Sequence, residues 1–95
     1  MPRRKLFRFD ILTPNGTIFS EKVFHVSAPG QHGRFGVLVN HIPSIILLGR
    51  GQVIVQALEK NRSFAIDGGV AHIQNNIMKI VTEAARDVSA VDGTR

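Results

Sequence analysis

Four histidines are the residues best suited to hold a metal ion in this chain: His25, His32, His41 and His72. Zinc motifs place such ligands a few residues apart or complete the set with cysteines. The histidines lack that close spacing, and the chain contains no cysteine. We therefore predict no metal site. We expect His25 and His72 to be partly buried, hydrogen-bonded strand residues, whereas His32 and His41 lie in predicted loops, where they are better suited to contact a partner.

Carboxylates and hydroxyls give no catalytic pattern either. Asp10 and Asp67 are candidate acid–base groups, but nothing in the sequence pairs them. Asp67 precedes two glycines, where a carboxylate more simply accepts hydrogen bonds from turn amides. Nucleophilic catalysis needs a serine, cysteine or threonine activated by a positioned base, and no Gly-x-Ser-x-Gly motif is present. The sequence predicts no catalytic residues, no cofactor and no enzyme activity of its own.

Three glycines spaced by two residues, Gly30, Gly33 and Gly36, imitate two phosphate-binding patterns. The segment lacks the Gly-Lys-Ser/Thr ending of a P-loop, and no helix is predicted after it. Gly33-Arg34-Phe35-Gly36 also matches the GxxG loop of KH domains, which needs flanking helices that the sequence does not provide. Residues 29–36 are therefore predicted to form a long ordered loop, a type of segment that often carries function. A second turn is expected at Asn40-His41-Ile42-Pro43.

The elements that must position these residues follow from length and hydrophobic period. The chain has 95 residues, of which 43% are hydrophobic, which is enough for one domain. Apolar side chains alternate at Phe7, Phe9 and Ile11, so a strand would place all three on one face. Further predicted strands are separated by Gly, Pro and Asn: residues 18–28, 52–56, 64–66, 70–73 and 77–81. The sequence thus predicts an all-β fold, a two-layer antiparallel β-sandwich or flattened barrel.

Finer expectations concern the faces of these strands and the end of the chain. In the second strand, Phe24 and Val26 are expected on one face, and Val23 and His25 on the other. Val53 and Val55 are expected to be buried between flanking glutamines. Residues 82–88 are predicted to form a short helical turn with Thr82 as its cap, and residues 89–95 a fraying tail.

The charge is strongly asymmetric. The formal net charge is +5, and residues 1–50 carry all of it, with seven basic and two acidic side chains. A basic terminus of this kind can contact phosphate, acidic lipid or an acidic protein, or it can simply remain solvated. No apolar run approaches the roughly 18 residues of a membrane span, and no apolar segment of a secretory signal follows the basic start. An intracellular location is therefore expected.

The order of several short motifs resembles one family. The motifs run from Phe9-Asp10-Ile11-Leu12-Thr13-Pro14 through Phe19-Ser20, Val26-Ser27-Ala28-Pro29-Gly30, Gly33-Arg34-Phe35-Gly36-Val37-Leu38, His41-Ile42-Pro43, Gly51-Gln52-Val53 and Asp67-Gly68-Gly69-Val70 to Val81-Thr82-Glu83-Ala84-Ala85. Together they resemble the N-terminal β-sandwich domain of the epsilon subunit of F-type ATP synthases, which corresponds to the mitochondrial delta subunit. The resemblance implies a basic extension over residues 1–5, a sandwich over residues 6–86 and a tail over residues 87–95.

The resemblance implies a mechanical role without catalysis. Members of the family bind the foot of the gamma shaft and sit on the ring of c subunits, and so couple proton or sodium ion flow to ATP synthesis. By resemblance, the c-ring contact consists of Gln31, His32, Gly33, Arg34 and Phe35, and the gamma contact of His41, Ile42 and Pro43. A turn-stabilising role for the His41 side chain is an equal alternative. The implied location is peripheral, on the cytoplasmic face of a bacterial inner membrane, with membrane contact only through the c ring.

Three departures from the family pattern affect these expectations. Arg34 stands where the family usually has an acidic residue, and an arginine there would favour carboxylates on the partner. Val39-Asn40 replaces the usual Pro-Gly, although asparagine also tolerates left-handed backbone geometry. The sequence stops where the family's inhibitory helical hairpin would begin, so a subunit without self-inhibition is expected.

Two alternatives remain open from the sequence. The first is a small basic β-barrel that binds nucleic acid, motivated by the net charge and the six phenylalanines; it requires exposed aromatic rings and a steep dependence on salt. The second is a hydrolase or isomerase, which nothing beyond isolated histidines and aspartates supports. The stalk hypothesis instead predicts one unusually apolar surface that gamma covers.

Overall fold

The computed structural model describes residues 5–89, and these residues fold into seven strands. The strands are β1 Phe7–Thr13, β2 Gly16–Gly30, β3 Gly33–Val37, β4 Ser44–Ala57, β5 Arg62–Gln74, β6 Ile77–Val81 and β7 Ala85–Asp87. The predicted extension over residues 1–5 lies outside the described residues except for Lys5, as does the predicted tail from residue 90 onward. Strand pairing continues to Asp87, and the Val88 amide donates to the Ser63 carbonyl.

The strands close on themselves, which confirms the predicted flattened barrel. The order β1-β6-β5-β4-β2-β3 is completed by pairing of β1 with β2, and β7 adds to β5. All described pairs are antiparallel except β1 with β6. The long strand β2 makes closure possible because its first part pairs with β1 and its second part with β3 and β4.

Alternation along the strands fills the interior as the sequence predicts. Phe7, Phe9 and Ile11 are buried on one face of β1, and Val53 and Val55 are buried in β4. The Phe19 ring lies between those of Phe9 and Phe64, at centroid distances of 5.8 and 5.3 Å. The buried core is completed by Val23, Val26, Ala28, Val37, Leu48, Ile66, Ala71, Ile73, Met78 and Ile80.

A bulge in β2 overturns the predicted faces of that strand. Val23 lies opposite Ala57, but His25 lies opposite Gln56, so one residue of β2 is extra at this point. The extra residue reverses the alternation, and both Val23 and Val26 are therefore buried. The prediction that these two valines occupy opposite faces was wrong because it assumed an uninterrupted period of two.

The interruption predicted at residues 67–69 is instead a bend within a continuous strand, and β4 has a matching bend. β4 runs through Gly49-Arg50-Gly51, and β5 runs through Asp67-Gly68-Gly69, where both glycines have positive φ angles of 101° and 134°. The bends face each other, since Arg50 pairs with Asp67 and Leu48 with Gly69. Glycine at 69 is required because a Cβ there would collide with the Val81 carbonyl oxygen.

The helical turn predicted for residues 82–88 is not formed. Within β5, β6 pairs only with Val70–Gln74. The backbone of Phe64–Ile66 at the same edge of β5 is therefore free to pair with another strand. Ala85–Asp87 takes this place as β7. Thr82 does not cap a helix: its amide donates to the Leu12 carbonyl and its hydroxyl to the Gly68 carbonyl.

Candidate interaction site

The glycine-rich segment is a tight hairpin and not the long loop that the sequence predicts. β2 and β3 stay paired up to Gly30 and Gly33, which leaves only Gln31 and His32 in the turn. Glycine is needed at 30, because a Cβ there would lie 2.7 Å from the Gly33 carbonyl oxygen. The Gln31 amide donates to the Leu47 carbonyl at 3.0 Å, which ties the tip to β4. Gln31 and His32 are exposed at a fixed place on the barrel.

Arg34 lies across the sheet from β3. Its Nε and Nη2 donate to the Ser27 hydroxyl at 3.2 and 2.8 Å, and Nη2 also donates to the Gln52 carbonyl at 2.9 Å. The side chain thus links three neighbouring strands while remaining exposed. Phe35, on the other face, is half-buried and packs against the core. Of the five residues predicted to contact the c ring, the four from Gln31 to Arg34 are therefore exposed to solvent.

The connection between β3 and β4 is held by two asparagines. Asn40 and Asn76 both have left-handed backbones, with φ of 67° and 61°. The Asn76 side-chain oxygen accepts from the Asn40 amide at 2.6 Å, and the Asn76 side-chain amide donates to the Asn40 side-chain oxygen. The left-handed geometry expected of Asn40 is confirmed, and the contact joins this turn to the turn between β5 and β6.

His41 occupies the role that the sequence left open as an alternative. Its Nδ1 lies 2.8 Å from the Ile42 carbonyl oxygen, and its amide donates to the Leu38 carbonyl. These bonds stabilise the turn and leave Ile42, 73% exposed, and Pro43 projecting into solvent. In the gamma contact predicted from the sequence, the apolar surface therefore comes from Ile42 and Pro43, and His41 supports them.

An exposed apolar surface continues from this turn onto the barrel. Ile45 and Leu47, on the outer face of β4, are 72% and 55% exposed. Leu47 pairs with Val70, and Val70 with Val81, so the apolar row crosses three strands. We call this surface the apolar face; its members are Ile42, Ile45, Leu47, Val70 and Val81.

The hairpin and the apolar face meet at one groove. Residues 30–35 form one wall, and residues 45–47 at the start of β4 form the other. The structure therefore brings the predicted contact segment 31–35 beside residues 45–47, whereas the other predicted segment, 41–43, precedes β4 and does not line this groove. Sequence reasoning missed the part of the surface formed by Ile45, Leu47, Val70 and Val81. The signal for Ile45 and Leu47 was the uninterrupted apolar run at residues 45–48. Successive side chains of a strand point to opposite faces, and only the inner face of this sheet is covered, so half of the run remains exposed.

The remaining candidate chemistry does not assemble into a site. Within residues 5–89, no three His, Asp or Glu side chains lie close enough to share a metal ion. His25 is half-buried beside Gly36, where a Cβ would lie 2.9 Å from its Nε2, but His72 is exposed, contrary to the expected burial. His72 belongs to the outer face of β5, opposite Ile45 and Lys79.

The two candidate catalytic aspartates, Asp10 and Asp67, each form an ion pair with an arginine, as does Asp87. Asp10 is buried and accepts from Ser20 and from Arg8 Nε, the latter at 3.3 Å. A hydrogen bond from Arg50, with its charge, lowers the pKa of Asp67. These aspartates are occupied by neighbouring donors within the sheet, which gives them structural roles.

The six phenylalanines offer no surface for base stacking. Four of them are buried, and Phe24 and Phe35 are half-buried. Nucleic-acid binding by stacking needs exposed rings, so the fold disfavours that alternative. Among the described residues, no helix has the length and apolar composition needed to cross a bilayer.

The sequence of this chain is similar to those of ATP synthase epsilon chains. Residues 6–88 match the sequence model of the family described as ATP synthase, Delta/Epsilon chain, beta-sandwich domain. An ATP synthase epsilon chain of Nitratidesulfovibrio vulgaris is 35% identical over 93% of this chain and 66% of the relative. The epsilon chain of Lawsonia intracellularis is 37% identical over 90% and 65%, and that of Rickettsia typhi 40% identical over 83% and 74%. The chain thus spans just under two thirds of the length of the first of these relatives.

Solved structures share the fold at low sequence identity. One chain of the Euglena gracilis mitochondrial ATP synthase, solved as an OSCP/F1/c-ring assembly, superposes with a TM-score of 0.82 at 21% identity. That match covers 97% of this chain and 64% of the other. A chain of the Tetrahymena thermophila mitochondrial ATP synthase central stalk and c ring gives a TM-score of 0.75 at 13% identity, with coverage of 99% and 75%.

Proposed function

This chain belongs to the family of β-sandwich domains of ATP synthase delta and epsilon chains, and we propose that it is a non-catalytic subunit of a bacterial F-type ATP synthase rotor. In this role it links the gamma shaft to the c ring within the central stalk. It thereby supports ATP synthesis driven by protons or sodium ions. The complex is membrane-associated, and the subunit lies on its cytoplasmic side, in contact with the membrane only through the ring.

The apolar face is the observation that carries this proposal. Ile42, Ile45 and Leu47 are each more than half exposed at and just before the start of β4, and Leu47 is joined across the sheet to Val70 and Val81. A protein that works alone in water rarely exposes such a group of large apolar side chains together. A permanent partner would remove them from water, and the apolar area would then stabilise the complex. We assign the apolar face to gamma.

The hairpin supports the second contact. A subunit that transmits torque needs a projection that does not bend, and the tip at Gln31 and His32 is fixed to β4 through the Leu47 carbonyl. Arg34 adds bonds to β2 and β4. The exposed side chains of this tip are polar, which suits the polar loops of a membrane ring better than lipid. We assign the hairpin tip to the c ring.

Binding of the chain to a purified gamma subunit from the same source tests the proposal. Titration calorimetry is expected to give saturable one-to-one binding with a negative heat-capacity change, because apolar surface is buried. The change should shrink in the variant Ile45→Gln/Leu47→Gln and remain in Ile54→Gln, whose side chain lies on the same strand outside the apolar face. Absence of binding at micromolar concentrations in both low and moderate salt would reject the proposal.

A further inference from the structure

The arginines of the described chain differ in how their charge is balanced. Three of them form an ion pair with an aspartate: Arg8 with Asp10, Arg50 with Asp67 and Arg62 with Asp87. Arg34 is held just as firmly, but by the Ser27 hydroxyl and the Gln52 carbonyl, which are neutral. Among residues 5–89, no carboxylate lies within ion-pair distance of Arg34. Its positive charge is therefore fixed in place without being neutralised.

The donors of this guanidinium are divided between the fold and the solvent. Nε and Nη2 are used by Ser27 and Gln52, whereas Nη1 has no hydrogen-bond partner among the described residues. Nη1 lies beside Gly51, 3.9 Å from the position that a Cβ would take there. Because residue 51 has no side chain, nothing on that residue covers the outer edge of the guanidinium. Two N–H groups are thus left to bind an external acceptor.

The surroundings favour an anionic acceptor. The hairpin and its turn, residues 30–37, contain no aspartate or glutamate, and the exposed tip offers only Gln31 and His32 beside Arg34. An incoming carboxylate would meet no like charge on the hairpin. The guanidinium is already ordered by Ser27 and Gln52, so little side-chain entropy is lost when Nη1 donates to a carboxylate.

We propose that Arg34 is a preorganised receptor for a carboxylate on the polar loop of the c ring. This inference rests on the proposed ring contact. The partner is an ionised aspartate or glutamate side chain, which accepts a hydrogen bond from Nη1. Ser27 and Gln52 are positioning groups that keep Nη1 aimed outward. The pairing selects rings with an acidic loop over rings with a basic loop, which Arg34 would repel.

The test uses the complex of this subunit with gamma and the purified c ring of the same source. Ring affinity is measured by biolayer interferometry for the wild type, Arg34→Gln and Arg86→Gln, an exposed arginine on β7 that serves as the matched control. We expect Arg34→Gln to weaken ring binding about tenfold or more and Arg86→Gln to change it less than twofold. Gamma affinity and thermal unfolding of Arg34→Gln are measured in parallel: gamma affinity should match the wild type, and a cooperative unfolding transition should show that the variant folds without the bonds to Ser27 and Gln52.

A ring variant in which the acidic residues of the polar loops are changed to their amides completes a double-mutant cycle. The ring variant should weaken binding of the wild type but not of Arg34→Gln, because the same pair is already lost. Unchanged ring affinity of Arg34→Gln, or additive losses in the cycle, would overturn the carboxylate assignment while leaving the ring contact intact. A wild-type complex that does not bind the ring at all would overturn both the assignment and the proposed ring contact.

A variant of Ser27 tests whether the fixed position of the Arg34 side chain matters for ring binding. Ser27→Ala keeps the charge of Arg34 but removes the hydroxyl that accepts from Nε and Nη2. Ring binding should weaken severalfold, by less than in Arg34→Gln, with a slower association rate. Wild-type binding kinetics in Ser27→Ala would contradict the positioning role of Ser27.

Discussion

The two halves of β4 share one strand but present different outer faces. In the second half, Val53 and Val55 point into the core, and the exposed outer positions are Gln52, Ile54 and Gln56, of which only Ile54 is apolar. In the first half, Leu48 is buried, yet the outer positions Ile45 and Leu47 are also apolar and exposed. The inner faces are alike because both close the same barrel. The difference on the outside shows that the first half is suited to a partner and the second half to water.

The boundary between the halves is built from glycines. Gly49-Arg50-Gly51 in β4 lies opposite Asp67-Gly68-Gly69 in β5, and the hairpin tip packs against Gly49 at this point. The tip of the hairpin thus lies beside the apolar half of β4, through the bond from the Gln31 amide to the Leu47 carbonyl, whereas Arg34 reaches Gln52 in the polar half.

Removal of a core ring should destabilise both halves together. Phe9 is fully buried and lies against Phe19, whose ring packs on Phe64 beneath the polar half of β4. Phe9→Ala is expected to lower the free energy of unfolding by about 3–5 kcal/mol, measured by urea denaturation. Leu47→Ala, on the apolar face, should cost less than about 1 kcal/mol. Equal losses would mean that Leu47 is part of the core and that the apolar face is misassigned.

The bend should tolerate no side chain at Gly69. Gly69→Ala combines a positive φ of 134° with a collision against the Val81 carbonyl, so we expect a loss of about 2–3 kcal/mol in unfolding free energy. Gly16→Ala is the matched control, because φ is 124° there and nothing lies within 4 Å of the added Cβ. It should cost about 1 kcal/mol from backbone strain alone. Similar values for both variants would show that the bend has room to adjust.

Polar substitution of the apolar face should separate binding from folding. Ile45→Gln/Leu47→Gln is expected to weaken gamma binding by about 2 kcal/mol or more, since central apolar anchors dominate such interfaces. Its unfolding free energy should stay within about 0.5 kcal/mol of the wild type. Ile54→Gln, 41% exposed on the polar half, should leave gamma affinity unchanged. The contrast between the halves fails if Ile54→Gln weakens binding as much as the double variant.

Acid should weaken the β7 attachment by a small amount. Hydrogen bonds from Ser89, and then from Arg62, lower the pKa of Asp87 to about 2, against about 3.9 in an unfolded chain. The unfolded state therefore binds the proton first, and the stability supplied by Asp87 is present above about pH 4 and lost as the pH falls toward 2. Because the pair is partly solvated, we expect less than about 1 kcal/mol.

The comparison of wild type with Asp87→Asn measures this contribution. Their difference in unfolding free energy should shrink steadily between pH 5 and pH 2.5, while gamma affinity at neutral pH stays equal. A difference that does not vary with pH would remove the carboxylate of Asp87 from the account of stability.

Sequence patterns predicted the barrel and most of its inward-facing residues, because an alternation of two is a local property. The turns at Asn40 and at Asn75-Asn76 were also predictable, since asparagine tolerates the left-handed backbone that both adopt. The bulge in β2 could not be predicted, because it depends on how β2 is aligned with β4, and the residues of β2 alone do not determine that alignment. The strand at Ala85–Asp87 likewise could not be predicted, because it depends on pairing with Phe64–Ile66, a stretch of β5 that β6 leaves unpaired.

The candidate site was predictable in its segments but not in its geometry. Residues 31–35 and 41–43 were found through motif order, yet the groove between residues 31–35 and the start of β4 depends on how the hairpin packs against that strand. The apolar run at residues 45–48 was visible in the sequence, but only pairing across β5 and β6 joins it to Val70 and Val81. The outward edge of Arg34 depends on a hydroxyl and a carbonyl from two other strands, which no spacing in the sequence indicates.

Site-specific thiol labelling tests the central claim most directly, because the chain has no cysteine of its own. Ile45→Cys and Ile54→Cys place single thiols on the two halves of β4. Both should react with a maleimide in the free subunit. In the complex with gamma, Ile45→Cys should be protected and Ile54→Cys should react as before. Labelling of Ile45→Cys at the same rate in the complex, or protection of Ile54→Cys instead, would contradict the assignment of the apolar face to gamma.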